Sequence, residues 1–117
     1  MTRSPRRAPP PPDCPLDFCM KLLSGAWTTK ILWYLCDEPR RFGELRRDIG
    51  TITQKVLTSR LRVLEAQGIV LREVHSLSPP QVSYRLTPLG RELRPVLEAM
   101  TRVGEKLAGP LEKQEKT

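Results

Sequence analysis

After Thr53, Lys55 and Ser59 point away from a helix's apolar stripe, with Thr58 on its flank and Gln54 at the amino end, since successive residues turn by about 100°. They are the residue types that read base edges. Lysine donates to guanine O6 and N7, glutamine pairs with adenine, and threonine offers a hydroxyl and a methyl beside the thymine methyl. Val56, Leu57, Leu61 and Leu64 form the opposing apolar stripe, which points the polar set and Arg62 outward. Arg40, Arg41, Arg46, Arg47, Arg60 and Arg62 surround this segment, where they are expected to hold phosphates and so position the protein without reading sequence. From Arg40 to Gln67 seven basic residues stand against three acidic ones, and the whole chain of 117 residues carries +7. That balance points to a polyanion, nucleic acid or an anionic membrane surface. The plain alternative is an ordinary solvated helix face.

Other chemistries find little support. His75 is the single imidazole and the three cysteines lack C-x-x-C spacing, so no metal centre and no cofactor is expected. One strand-borne histidine without a positioned carboxylate is a poor start for nucleophilic catalysis, and the chain reads as a non-enzyme. Gly43, Gly50, Gly68 and Gly90 stand singly, which excludes a phosphate-cradling glycine loop. The longest apolar run, Ile31 to Cys36, is far too short to span a bilayer. The basic start runs into Pro9 to Pro12 rather than an apolar core, so no secretory signal is expected and the cytoplasm is the expected location. Cys14, Cys19 and Cys36 cannot all pair within one chain, and a disulfide scaffold is excluded. Cys19 and Cys36 fall on apolar faces and are expected in the core. Trp27 and Trp33 either pack on buried helices or line a ligand pocket between them.

The elements that must position these residues read as one domain, 13–108, between a flexible basic arm (1–12) and a flexible tail (109–117) opened by Gly109 and Pro110. Leu16, Cys19, Met20 and Leu23 mark a first helix stopped by Gly25. Thr28 or Thr29 caps a second, which runs through Ile31, Leu32, Trp33 and Leu35 and ends before Pro39. Phe42, Leu45 and Ile49 give a third, ending at Gly50, and Thr53 caps the fourth, ending at Gly68. Ile69 to His75 and Val82 to Leu86 read as two strands joined by a loop from Ser76 to Gln81. Thr87 and Pro88 open a long helix striped by Leu89, Leu93, Val96, Leu97, Met100, Val103 and Leu107, with a kink expected at Pro95. The order predicts an α+β, mainly helical winged helix-turn-helix with a two-stranded wing, whose fourth helix enters a DNA major groove. At the wing, His75, Ser76 and Gln81 are the candidate DNA contacts.

The strings Leu23-Ser24-Gly25-Ala26-Trp27, Pro39-Arg40-Arg41-Phe42-Gly43-Glu44-Leu45-Arg46, Thr53-Gln54-Lys55-Val56-Leu57-Thr58, Arg60-Leu61-Arg62-Val63-Leu64-Glu65 and Tyr84-Arg85-Leu86-Thr87-Pro88-Leu89-Gly90, with Cys14-Pro15 ahead of them, closely resemble the HxlR-type regulators. The likeness runs from about residue 14 to residue 104. It implies a bacterial or archaeal transcription factor that works as a homodimer on double-stranded DNA, its first and last helices joining two subunits. Leu16, Met20, Leu93, Val96, Leu97, Met100 and Val103 are then the interface, and the last apolar stripe, long for a domain this small, calls for a partner surface, the alternative being packing within the same subunit. Two positions depart from the family pattern: Gln81 stands where an Arg or Lys is usual, and Ser83 where a Glu is common.

Some relatives carry a sensing cysteine at the position of Cys14. A sensor needs an accessible thiol near a helix start or a positive charge, and Cys14 opens the first helix, although Asp13 and Asp17 oppose a thiolate there. The expected function is sequence-specific regulation of transcription, by repression at a palindromic operator. Three alternatives accompany it: control by a small-molecule or oxidant effector, switching through Cys14, and a protein-interaction module whose basic face binds an acidic partner.

Overall fold

The computed structural model describes residues 14–115, and their side chains as far as 109. The basic arm and its Arg3, Arg6 and Arg7 lie outside the described residues. Helices α1 (Pro15–Ser24), α2 (Thr28–Leu35), α3 (Phe42–Ile49) and α4 (Gln54–Ala66) precede a hairpin of β2 (Val70–Leu77) and β3 (Pro80–Leu86). A two-residue strand, β1 (Arg40–Arg41), leads into α3, and a short α5 (Pro88–Arg91) precedes a long α6 (Arg94–Glu115). The three strands form one antiparallel sheet in the order β1-β3-β2.

The core is where α2, α3, α4 and the sheet meet. Ile31, Leu32 and Leu35 from α2, Leu45 from α3, and Leu57, Leu61 and Leu64 from α4 close on Val70, Tyr84 and Leu86 of the sheet. Each such aliphatic side chain contributes about 1.5–3 kcal/mol on burial, which fixes α4 by its inner stripe and leaves its outer side free.

Several expectations need correction. The wing ladder extends further than its apolar pattern suggests, because Ser76 pairs with Gln81 and Leu77 with Pro80, leaving Ser78 and Pro79 as a two-residue turn. β1 was not expected, since two residues carry no periodicity; Arg40 lies opposite Tyr84 and Arg41 opposite Ser83. Trp27, not a threonine, stands at the start of α2 with φ 68°, a left-handed conformation unusual for a bulky residue, and its ring packs against the core with Lys30 Nζ 5.2 Å from its centre. Cys19 is exposed, because the side of α1 that carries it faces away from the body; Cys36 is half-buried against the core.

The last helix is two. Pro95 has no N–H to continue a ladder from α5, so the chain turns at Glu92 and Leu93, and the proline sits harmlessly in the first turn of α6. That turn drives Leu93 and Leu97 into the chain's own core, 8% and 4% exposed, so neither is open to a partner as expected. α6 also continues through Gly109 and Pro110 to Glu115, past the expected break; the residues that follow them are good helix formers.

Candidate nucleic-acid interface

The helix-turn-helix is built by local devices. Glu44 Oε1 accepts the N–H of Arg41 at 3.0 Å, tying down the first turn of α3. Gly50 takes φ 86°, Ile52 buries itself in the turn, and Thr53 Oγ1 accepts the N–H of Val56 at 3.2 Å to cap α4. With Leu57, Leu61 and Leu64 buried, Gln54, Lys55, Ser59 and Arg62 stand exposed on the opposite side. Thr58 is half-buried beside them, its hydroxyl donating to the Gln54 carbonyl at 2.8 Å. The four expected base readers therefore share one continuous outward surface with Arg62 and Val63.

The expected phosphate contacts divide. Arg41, Arg46, Arg47 and Arg62 are exposed, and among the described residues none has a carboxylate within 4.0 Å. Arg40 is engaged inside the chain: its guanidinium lies 3.3 Å from Asp48 and 3.7 Å from Glu38, with Nε buried and unpartnered. Arg60 is half-buried on the other flank of α4, in a crevice with Lys21 of α1, Gly25 just after it and Thr28 of α2. Neither joins the reading surface.

At the wing, the register slips between Val74 and Ser76, so His75 is the extra residue of a bulge. Its Nε2 lies 2.6 Å from Ser83 Oγ, a bond open to this chain because a serine stands there. Ser76 and Gln81 pair across the ladder close to the turn. The tip itself carries no charge, with Leu77 85% exposed. The basic residues of the hairpin sit at its base: Arg85 donates to Glu73 at 2.6 Å, and Arg72 has no carboxylate within 4.0 Å among the described residues. Arg72 was missed from sequence. The available signal was alternation, since Val70 and Arg72 fall on the same side of β2.

Cys14 occupies the N-cap position of α1, half-buried, and its side chain makes no cap bond. Cys36 is a different case. Burial pushes its thiol up, with Asp37 and Glu98 adding to the effect and Arg94 opposing it, so it stays protonated at neutral pH. Trp33, 46% exposed, lines a groove of about 360 Å³ with Lys30, Tyr34 and Met100, whereas Trp27 lies outside it. Among the described residues no cluster of His, Cys, Asp and Glu could hold a metal ion, and no helix is long and apolar enough to cross a membrane.

An outward polar helix face beside unpaired arginines and a hairpin is the geometry of a winged-helix DNA reader. Known proteins agree. The family model for HxlR-like helix-turn-helix proteins matches residues 22–112. The HTH-type transcriptional regulator YybR of Bacillus subtilis is 44% identical over 92 residues, which is 79% of this chain and 74% of YybR. Among solved structures, the redox regulator HypR in its reduced form superimposes with a TM-score of 0.78 at 41% identity, covering 85% of this chain and 98% of that one. The reduced transcriptional regulator YodB from B. subtilis gives 0.73 at 36% identity, covering 83% and 96%. The chain belongs to the HxlR-like helix-turn-helix family and is a DNA-binding transcriptional regulator of winged-helix type, not an enzyme.

Proposed function

We propose that two copies of this chain bind a two-fold symmetric operator and repress transcription from it, each copy reading one half-site with Gln54, Lys55, Thr58 and Ser59. The observation that carries this reading is the α4 surface itself, polar, exposed and fixed by a fully buried opposite stripe. Arg41, Arg46, Arg47 and Arg62 supply phosphate contacts around it. The second copy is supported by exposed apolar side chains on the first and last helices: Leu16, Phe18 and Met20 on α1, and Val96, Met100, Val103 and Leu107 on α6.

Selection of tight-binding duplexes from a random pool tests the reading. It is expected to return a palindrome with half-sites about one DNA turn, roughly 34–36 Å, apart. Binding of every duplex with equal affinity would defeat it. Val103→Glu places a charge on the exposed stripe without touching the core, so it is expected to halve the mass in sedimentation and to lower affinity for the selected duplex at least about tenfold, the contribution of the second half-site. Unchanged mass and affinity would remove Val103 from the interface.

A second reading concerns control. Cys14 sits at a helix start with its thiol partly accessible, and HypR, at 41% identity, is described as a redox regulator. Oxidant acting on Cys14 would change operator affinity through α1, one of the two elements assigned to the subunit contact. Diamide is expected to shift the wild-type affinity and to leave Cys14→Ser unaffected. A wild type that diamide modifies at Cys14 with no change in affinity sinks the switch while leaving DNA binding intact.

A further inference from the structure

We infer that Arg62 of α4 and Arg72 of β2 together grip one DNA backbone phosphate in a notch between the reading helix and the base of the wing, a contact that rests on the DNA-binding reading above. Side chains on a strand alternate, so Arg72 shares the inner side of β2 with buried Val70, and Glu73 falls on the outer side. Arg72 itself is exposed, as is Val74 beyond it, so the arginine stands where that side opens to solvent, and among the described residues it has no ion-pair partner. Directly across the ladder stands Tyr84, itself buried. Thr58, Arg62, Glu65, Arg72 and Tyr84 enclose a notch of about 430 Å³.

Two guanidiniums from separate elements thus face one cleft, and among the described residues neither has a carboxylate within 4.0 Å, Glu65 included. Their mutual repulsion is relieved by an anion between them, and the planar fork of arginine matches phosphate oxygens. The notch is continuous with the reading surface, since Thr58 and Arg62 border both. A phosphate held there would therefore belong to the duplex whose bases α4 reads. Arg85 on the outer side of the same hairpin offers the contrast, its fork already occupied by Glu73.

The test is a salt series of anisotropy titrations, with a duplex selected from the random pool and with a scrambled one. Arg72→Gln is expected to weaken both duplexes by the same factor, about three- to tenfold at low salt, and Arg72→Lys to restore most of that affinity on the same fold. The double variant Arg62→Gln/Arg72→Gln is expected to flatten the plot of log affinity against log salt by about 0.9, one phosphate's worth, rather than about 1.8 for two. Arg85→Gln should leave the slope as in wild type. The inference is overturned if Arg72→Gln binds like wild type, loses only the selected duplex, or is matched by Arg85→Gln, if the lysine fails to restore the affinity, or if the double variant flattens the slope by about 1.8. Should wild type bind without preference among sequences, the operator reading fails, whereas preference retained beside an unaffected Arg72→Gln defeats the shared phosphate alone.

Discussion

Lys55→Ala is expected to leave a folded protein that no longer distinguishes its operator from scrambled DNA at the base pair this side chain reads. Lys55 is exposed in the first turn of α4, and among the described residues it has no ion-pair partner, so removing it disturbs no internal contact. A good lysine contact to guanine O6 and N7 carries about 1–3 kcal/mol of discrimination, roughly ten- to a hundredfold in relative affinity. The matched control is Arg62→Ala, which removes a cation proposed above to hold phosphate, one turn beyond the proposed base readers, and is expected to weaken selected and scrambled duplexes alike. The measurement is the ratio of the two affinities at one salt concentration. An unchanged ratio in Lys55→Ala would take the lysine out of base recognition, and a collapsed ratio in Arg62→Ala would exchange the two roles.

The second large effect is on stability. At Gly90 a Cβ would drive into the carbonyl of Ile69 and sit 3.3 Å from Leu86 Cβ, because α5 rests directly on the backbone that opens β2. Retreat is blocked. Thr87 Oγ1 donates to the Gly68 carbonyl at 2.6 Å and accepts the Gly90 N–H at 3.0 Å, while Thr87 N–H donates to the Ile69 carbonyl at 3.0 Å. Gly90→Ala is therefore expected to cost about 3 kcal/mol, at the upper end of overpacking, and to lower the melting temperature by roughly 12–24 °C. Gly104→Ala makes the opposite case. Nothing lies within 4 Å of its Cβ in the middle of α6, and the gain in helix propensity is expected to stabilise the protein by about 0.5–1 kcal/mol. Thermal melts of the two variants side by side check both signs.

The helix-turn-helix was legible in the sequence because its signals are local. Thr53 announces α4 through its own cap, Gly50 and Gly68 supply the left-handed turns that end α3 and follow α4, and the leucine stripe orients the helix between them. What escaped depends on contacts between distant segments. Two residues of β1 become a strand only because Tyr84 and Ser83 lie beside them, and Ser76 to Gln81 become ladder rather than loop because a two-residue turn allows their backbones to meet. The apolar stripe of the last helix was correctly seen but wrongly divided. Its period does not reveal that the turn ahead of Pro95 sends Leu93 and Leu97 inward while Met100 and Val103 remain outside. Arg40 and Arg60 were counted with the phosphate contacts by proximity in sequence. Only the fold shows one engaged by Asp48 and Glu38 and the other turned toward α1 and α2.

The manner in which α6 is held has a mechanical consequence. Leu93 and Leu97 clamp its root, Arg94 in the first turn reaches Asp37 after α2 at 3.1 Å, and beyond Met100 the side chains through Leu107 are exposed. A helix of 22 residues is a rod about 33 Å long, pinned at one end. A pivot of about 10° at the pin swings the far end by roughly 6 Å, close to the rise of two base pairs at about 3.4 Å each. If two such rods join the subunits, the pitch between the paired reading helices is governed where Leu93 and Leu97 seat the root, far from any base.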